Sequence, residues 1–212
     1  MSKGLYLNFE GPEGAGKSTA ILDLQEWLAT LVGEQKVHYI KQPGYGALGA
    51  KIRQLLLHDV DTQEILPEAE VLLFCADRAH TAEQIRQFVD AGHIVLGDRG
   101  HWSTLVYQGH TRGLDLVVLE QINKFAMKDL LPDRNYLFDI DVSVGLARQG
   151  SRNRMEAEGL EFHQKVREGY LELFKRYTKE SCLIDASKSQ QEVLSYLRHD
   201  IQSRFGFQLQ VN

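Results

Sequence analysis

The sequence carries no excess of positive charge. Its 24 Lys and Arg stand against 29 Asp and Glu, a net charge of −5 over 212 residues. Non-specific nucleic-acid binding needs a broad basic surface, so that class of function is excluded, although a small basic pocket is not. Cysteine is nearly absent. Only Cys75 and Cys182 occur, which excludes a disulfide scaffold. Both sit in apolar runs, where buried free thiols are expected, and a reducing compartment follows. Long hydrophobic runs are missing as well. The most apolar one, Val71–Ala76, falls far short of the ~20 residues that span a bilayer. The chain opens Met1-Ser2-Lys3-Gly4 and enters an apolar segment with no cleavage-site pattern behind it, so no signal peptide is expected. A cytoplasmic protein without a membrane partner is the consequence. There are only four prolines and neither a repeat nor a low-complexity tract, so one domain over residues 1–212 is the simplest organisation.

What is present is an alternation. Short apolar runs at Leu5–Phe9, Val37–Lys41, Ile94–Gly97, Tyr136–Ile140 and Cys182–Ile184 have the length and composition of strands buried on both faces. Between them, Ser18–Val32, Ala47–Leu57, Ala69–Ala91, Asp115–Lys128, Gly159–Tyr177 and Gln190–Phe205 carry helical patterns. Alternating elements of this size imply parallel strands joined by right-handed crossovers. The expected fold class is α/β, a three-layer sandwich around a roughly five-stranded parallel sheet. Ligands of such sheets bind beyond the carboxyl ends of the strands, which directs attention to particular loops.

The loop after the first strand reads Gly11-Pro12-Glu13-Gly14-Ala15-Gly16-Lys17-Ser18, the G-x-x-x-x-G-K-[ST] pattern of a phosphate-binding loop. Glycines let backbone N–H groups turn inward around a polyphosphate without a Cβ in the way. The following helix aims its positive end at the phosphates. Lys17 would reach the β- and γ-phosphates and Ser18 would ligate Mg²⁺. The candidate nucleotide-binding residues are therefore Gly11, Glu13, Gly14, Ala15, Gly16, Lys17, Ser18 and Thr19. Asp98 ends the run Ile94-Val95-Leu96-Gly97-Asp98 and is the candidate second group at the metal. Together these residues give the P-loop type of α/β fold, with ATP and Mg²⁺ as its ligands.

The class of P-loop protein follows by elimination. Asn123-Lys124-Phe125-Ala126 fails the N-K-x-D guanine motif, and Asp98-Arg99-Gly100-His101 fails the D-x-x-G switch. A helicase or DNA-directed ATPase would be larger and more basic. A small kinase with a small acceptor remains. Arg148-Gln149-Gly150-Ser151-Arg152-Asn153-Arg154 has three arginines, no acid and a glycine, as a closing lid would, over about residues 148–156. Arg148, Arg152 and Arg154 would stabilise charge on the transferred phosphoryl group. The bland alternative is a solvated basic turn.

These residues resemble the thymidylate kinase family. The likeness rests on Phe9–Thr19, on Leu72-Leu73-Phe74-Cys75-Ala76-Asp77-Arg78, on Asp98-Arg99 with Ser103 and Tyr107-Gln108-Gly109, and on Arg152–Glu156 with Phe162-His163 and Val166–Tyr170. The resemblance implies ATP-dependent phosphorylation of dTMP to dTDP, and a homodimer. It implies that Glu13 touches the sugar 3′-hydroxyl or orders the metal site, that Phe74 stacks on thymine, that Arg78 donates to a thymine carbonyl, and that Arg99 holds the acceptor phosphate. Ser103 and Thr104 fall where family residues reach the base edge. Tyr107 would pack beneath the sugar and Gln108 would support the base pocket. Without the resemblance, Phe74 and Tyr107 read equally as core aromatics, and Arg78 as a partner of Asp77 or Glu83 on a solvated helix face. His163 is expected to be partly exposed.

The chain also departs from the family pattern. Where the family has an R-E-P-G-G-T-like run, this sequence has Lys41-Gln42-Pro43-Gly44-Tyr45-Gly46, and Gly100 replaces an aromatic or histidine after Asp98-Arg99. The lid is slightly shortened. Lys41 keeps a cation at the acceptor side but loses the guanidinium fork. These changes leave open another deoxynucleotide such as dUMP, a deoxynucleoside acceptor, or an ATP-binding module without catalysis.

Overall fold

The computed structural model describes residues 4–57, 65–148 and 158–206. Five strands form one sheet: β1 (Leu5–Glu10), β2 (Val37–Lys41), β3 (Ile94–Asp98), β4 (Arg134–Asp139) and β5 (Ser181–Asp185). Their order is β2-β3-β1-β4-β5, and every pairing is parallel. The expected α/β class with a five-stranded parallel sheet is what the chain adopts.

Strand alternation sorts side chains between two helical layers. Leu7 and Phe9 of β1, with Leu96, Tyr136, Phe138 and Ile184, face α1 (Lys17–Val32) and α8 (Gln190–Phe205) in one core. Phe9 stacks on Tyr136 at 5.2 Å between ring centroids. The opposite face meets α2 (Gly46–Leu57), α3 (Pro67–Asp90), α5 (Leu116–Met127) and α7 (Leu160–Arg176). On that face β1 turns the polar residues Asn8 and Glu10, both fully buried. A buried polar group is stable only when bonded. Here Asn8 donates to Asn135 at 3.0 Å, and Ser103 donates to Glu10 at 2.8 Å.

Local chemistry sets the element ends. Asp115 caps α5 by accepting from the Val117 and Val118 amides, and Ser189 with Glu192 forms a capping box on α8. β4 begins at Arg134, two residues before the run expected from apolar content. A charged residue there looks wrong for a central strand, yet Arg134 is buried with its guanidinium on the Lys179 carbonyl and on Asp200.

Two short elements complete the active face: α4 (His101–Thr104), which runs on as a π-helix over Leu105–Thr111, and α6 (Val142–Ala147). Residues 104–109 are buried without a break. That pattern has no helical period, so hydrophobic spacing does not reveal the element. π-helical turns concentrate at functional sites, and this one holds Tyr107 and Gln108. Chain order reverses at β1, with β3 on one side and β4 on the other. Such a switch opens a crevice at the carboxyl edge. Pairing places Asp98 beside both Phe9 and Lys41 at that edge.

Candidate active site

The loop from Gly11 to Ser18 wraps this crevice. Two contacts explain its glycines. A Cβ on Gly11, whose φ is +138°, would lie 2.3 Å from the Phe138 carbonyl oxygen. One on Gly14, at φ +69°, would lie 2.0 Å from the carbonyl oxygen of Gly145 in α6. Side chains are therefore excluded on both counts. Gly145 is itself required, because its own Cβ would meet the Glu13 carbonyl oxygen at 2.6 Å. Sequence inspection passes over this residue, since nothing marks a helix glycine as the floor of a distant loop. Helix α1 starts with no side-chain cap, which leaves its first N–H groups turned toward the loop.

Lys17 is buried and donates from Nζ to the Gly11 and Pro12 carbonyls at 2.9 and 2.6 Å. Burial and the neighbouring Arg99 charge push its ammonium down to about 7, against the pull of Asp98, Glu13 and Glu10. Ser18 Oγ donates to Asp98 Oδ2 at 2.7 Å, and Tyr39 Oη donates to the same oxygen at 2.8 Å. Lys41 Nζ stands 3.8 Å away. Burial alone would raise the Asp98 carboxyl, but Lys17 and Arg99 hold it below its ordinary value.

Arg99 follows Asp98 in a left-handed backbone conformation, φ +69°, which costs a bulky residue roughly 1–2 kcal/mol. The turn aims its guanidinium into the crevice. Nη2 donates to Glu13 Oε1 at 2.8 Å, and Nη1 donates to the Gly11 carbonyl at 3.2 Å and to Tyr170 Oη at 3.1 Å. Tyr107 Oη donates to the same Glu13 oxygen at 2.5 Å. Burial would raise the Glu13 carboxyl, yet Arg99, His163, Lys17 and Tyr107 together hold it at about 2. Glu13 is thus ionised throughout the working range. Desolvation and the facing carboxylate keep the Tyr107 phenol protonated, far above its usual titration.

The crevice as a whole, about 350 Å³, runs from the phosphate loop past Arg99 to α3. Its walls carry Phe74 and Arg78, one helical turn apart on α3, with Ser103, Thr104, Tyr107 and Gln108. Arg78 is 3% exposed rather than on a solvated helix face. It donates to Thr104 Oγ1 at 2.8 Å, Asn123 Oδ1 at 2.6 Å and the Gly100 carbonyl at 2.8 Å. Gln108 donates to the buried Glu70 at 2.7 Å.

The structure thus brings Gly11–Ser18, Lys41, Phe74, Arg78, Asp98, Arg99, Ser103, Thr104, Tyr107 and Gln108 around one crevice. Thr19 lines both this crevice and a neighbouring cleft on the outer side of α1. Arg148 lies there too, at the end of α6, donating to the Ala186 carbonyl at 3.2 Å beside a second cleft that includes Gly16, Thr19 and Lys188. Arg152, Arg154 and most of the expected lid lie outside the described residues. One expectation is corrected: His163 is 2% exposed, because α7 turns it inward against Glu13 at 3.7 Å. Several site residues escape the sequence reasoning. Arg53 lines the cleft from α2 and donates to the Pro43 carbonyl at 2.8 Å. Tyr39 points along β2 to Asp98, and Asn123 backs Arg78 from α5. The available signal is a cation two turns into the helix after the Pro43-Gly44 loop, too weak to single out Arg53.

Comparison with known proteins agrees with this architecture. The family model described as thymidylate kinase matches residues 9–196. A thymidylate kinase of Carboxydothermus hydrogenoformans is 42% identical over 197 residues, covering 90% of this chain and 93% of that protein. One of Desulfovibrio desulfuricans is 42% identical over 210 residues, covering 94% and 95%. The crystal structure of thymidylate kinase from Ehrlichia chaffeensis superposes with a TM-score of 0.78 at 26% identity, over 95% of this chain and all of that one. The phosphate loop, the crevice beyond it and these matches over nearly the whole length make the chain a member of the thymidylate kinase family, enzymes that use ATP to phosphorylate dTMP to dTDP.

Proposed function

We propose the following division of labour for transfer of the γ-phosphoryl group from ATP to dTMP. The observation that carries it is Arg99, fixed between the phosphate loop and the acceptor cleft by its contacts to Gly11 and Glu13. A cation there lies between donor and acceptor phosphates and screens the repulsion of two anions brought together. The acceptor phosphate is already ionised near neutral pH, so no strong general base is required. Positioning and charge neutralisation supply the catalysis.

Lys17 and the loop amides hold the β- and γ-phosphates. Arg148 and the Ala186–Lys188 turn flank the second cleft, which takes the rest of the ATP molecule. Arg152 and Arg154 close over the phosphates, excluding water from the transfer. Arg53 and Lys41 supply further charge at the acceptor phosphate. Phe74 stacks on the thymine ring, Arg78 and Thr104 face its edge, Tyr107 lies under the sugar, and Glu13 faces the sugar hydroxyl. The single domain and its short lid serve this one reaction.

Ser18 and Asp98 fit Mg²⁺. Both offer hard oxygens 2.7 Å apart, beside the loop. Mg²⁺ needs few protein ligands when phosphates and water complete its shell. Held there, it would supply neutralisation of the charge on the phosphates. The unusual residues fall where they disturb thymine recognition little. Lys41 and Gln42 border Asp98 at the phosphate end, where the Gln42 amide donates to the Asp98 carbonyl at 3.0 Å. Gly100 offers Arg78 a backbone carbonyl that any residue would provide. With ATP and Mg²⁺, dTMP is therefore expected to outrun dUMP, dCMP and dGMP by at least about tenfold in kcat/KM, the value of one or two lost contacts, with thymidine inert. Equal turnover of dCMP or phosphorylation of thymidine would overturn the acceptor assignment.

The protein acts in the cytoplasm as a homodimer through α2, α3 and α5. α3 packs between the other two, and all three turn large apolar side chains to solvent: Leu48 and Leu55, Leu72, and Val118 and Phe125, the last 84% exposed. Exposed apolar side chains in this number mark an interaction surface. Phe125→Asp is expected to halve the mass seen by light scattering. A wild-type monomer at micromolar concentration would refute the interface.

A further inference from the structure

Glu13 has two carboxylate oxygens with different surroundings. Oε1 accepts from Arg99 at 2.8 Å and Tyr107 at 2.5 Å. Oε2 is buried and has no hydrogen-bond partner. The polar atom facing it is His163 Nδ1 at 3.7 Å, on a side chain 2% exposed whose other nitrogen, Nε2, is also buried and unbonded. The orphaned Glu13 Oε2 thus faces His163 Nδ1 a few tenths of an ångström beyond bonding distance. Leaving a charged oxygen buried and unpaired is costly, so a small approach of α7 is favoured. A carboxylate demands a donor, which places a proton on Nδ1.

The need is greatest when substrate is bound. Arg99 then turns its guanidinium to the acceptor phosphate and loosens its hold on Glu13, leaving Tyr107 on one oxygen. We propose that His163 is a positioning residue for the reaction: its Nδ1–H closes on Glu13 Oε2 and fixes the carboxylate toward the acceptor sugar once Arg99 is engaged. This rests on the substrate-facing role of Glu13 given above. His163 stands in the first turn of α7, directly after the segment carrying Arg152 and Arg154. The same helix bears Tyr170, whose hydroxyl meets Arg99 and Ser103. One rigid element therefore addresses both members of the Glu13–Arg99 pair.

The test exploits ring geometry. Asparagine puts its side-chain nitrogen where Nδ1 lies, glutamine reaches only to the place of Nε2, and phenylalanine keeps the ring without a donor. His163→Phe is expected to lower kcat/KM for dTMP about tenfold, the loss of one hydrogen bond to a charged group, with KM for ATP unchanged. His163→Asn should recover most of the loss and His163→Gln little. In a Glu13→Gln background, His163→Phe should add less than a twofold further loss, because the two act as one unit. Wild-type kinetics in His163→Phe, equal recovery by Asn and Gln, or full multiplication of the two single losses would each overturn the proposal. Glu13→Gln at wild-type activity overturns the role of Glu13 as well. If His163→Phe does not fold, the contrast between the Asn and Gln variants decides alone.

Discussion

Lys17→Ala is expected to lower kcat by about 10²–10³-fold while leaving the fold intact. Removing one preorganised donor from a developing anion costs on the order of 10²–10³ in rate, and Lys17 serves the phosphates on which charge develops. Among the described residues its Nζ bonds to carbonyls of its own loop, so truncation removes little that holds the core together. The coupled assay for ADP release reads the loss, and a thermal melt within a few degrees of wild type shows that folding survives. Near-normal turnover would refute the role. The same side chain predicts a pH signature. Burial and Arg99 set its ammonium at about 7 in the free protein, so near pH 8 most molecules carry a neutral amine. Incoming phosphates favour the ammonium. ATP binding then takes up a proton, approaching about one at pH 8 and none at pH 6, and affinity falls as pH rises through 7. Calorimetry in two buffers of different ionisation enthalpy measures the uptake, which Lys17→Met should abolish. The unliganded protein shows the opposite sign. Between 7 and the ordinary lysine value the unfolded chain binds more protons at this site, so the contribution of Lys17 to stability rises with pH.

Arg99→Ala is expected to lower kcat/KM for dTMP by about 10²–10³-fold, with KM for ATP changed by less than about threefold. The asymmetry follows from geometry, since Arg99 stands on the acceptor side of Lys17 and the loop. Stability should suffer too. Removing one partner of a buried ion pair leaves the other charge uncompensated, on the order of 3–5 kcal/mol in a dry interior. Arg99 retains 19% side-chain exposure, so a smaller loss of a few kcal/mol is expected. At ~2–4 °C per kcal/mol for a chain this size, the melt should drop by several degrees. Arg99→Lys keeps the charge but not the fork that meets Glu13, Gly11 and Tyr170 at once, and should fall between wild type and alanine. An unchanged dTMP response in Arg99→Ala would remove its place at the acceptor phosphate.

Local pattern carried the parts of this protein that are local. The loop Gly11–Ser18 is legible because its chemistry resides in adjacent residues, and β1, β2 and β3 because short runs rich in β-branched, aromatic or leucine residues mark strands. Helices α1, α2, α3, α5, α7 and α8 announce themselves by period. Arg134 broke the pattern for β4, since a buried cation is tolerated only through partners far along the chain, Lys179 and Asp200. The π-helical Leu105–Thr111 stretch has no period to detect, being buried without a break from Leu105 to Gly109.

By itself, then, the sequence determined the α/β class, the phosphate loop, the thymidylate kinase resemblance and the residue types around the acceptor. Only the tertiary structure decided what those residues do to one another. The left-handed turn at Arg99 sets its guanidinium on Glu13. Gly145 gives way to Gly14 from an element more than a hundred residues distant. Arg53 enters the cleft from α2, and His163 turns inward instead of to solvent. Each is a long-range contact between groups unremarkable in their own segments. Burial, charge and hydrogen bonding take their value from neighbours, and folding alone chooses the neighbours.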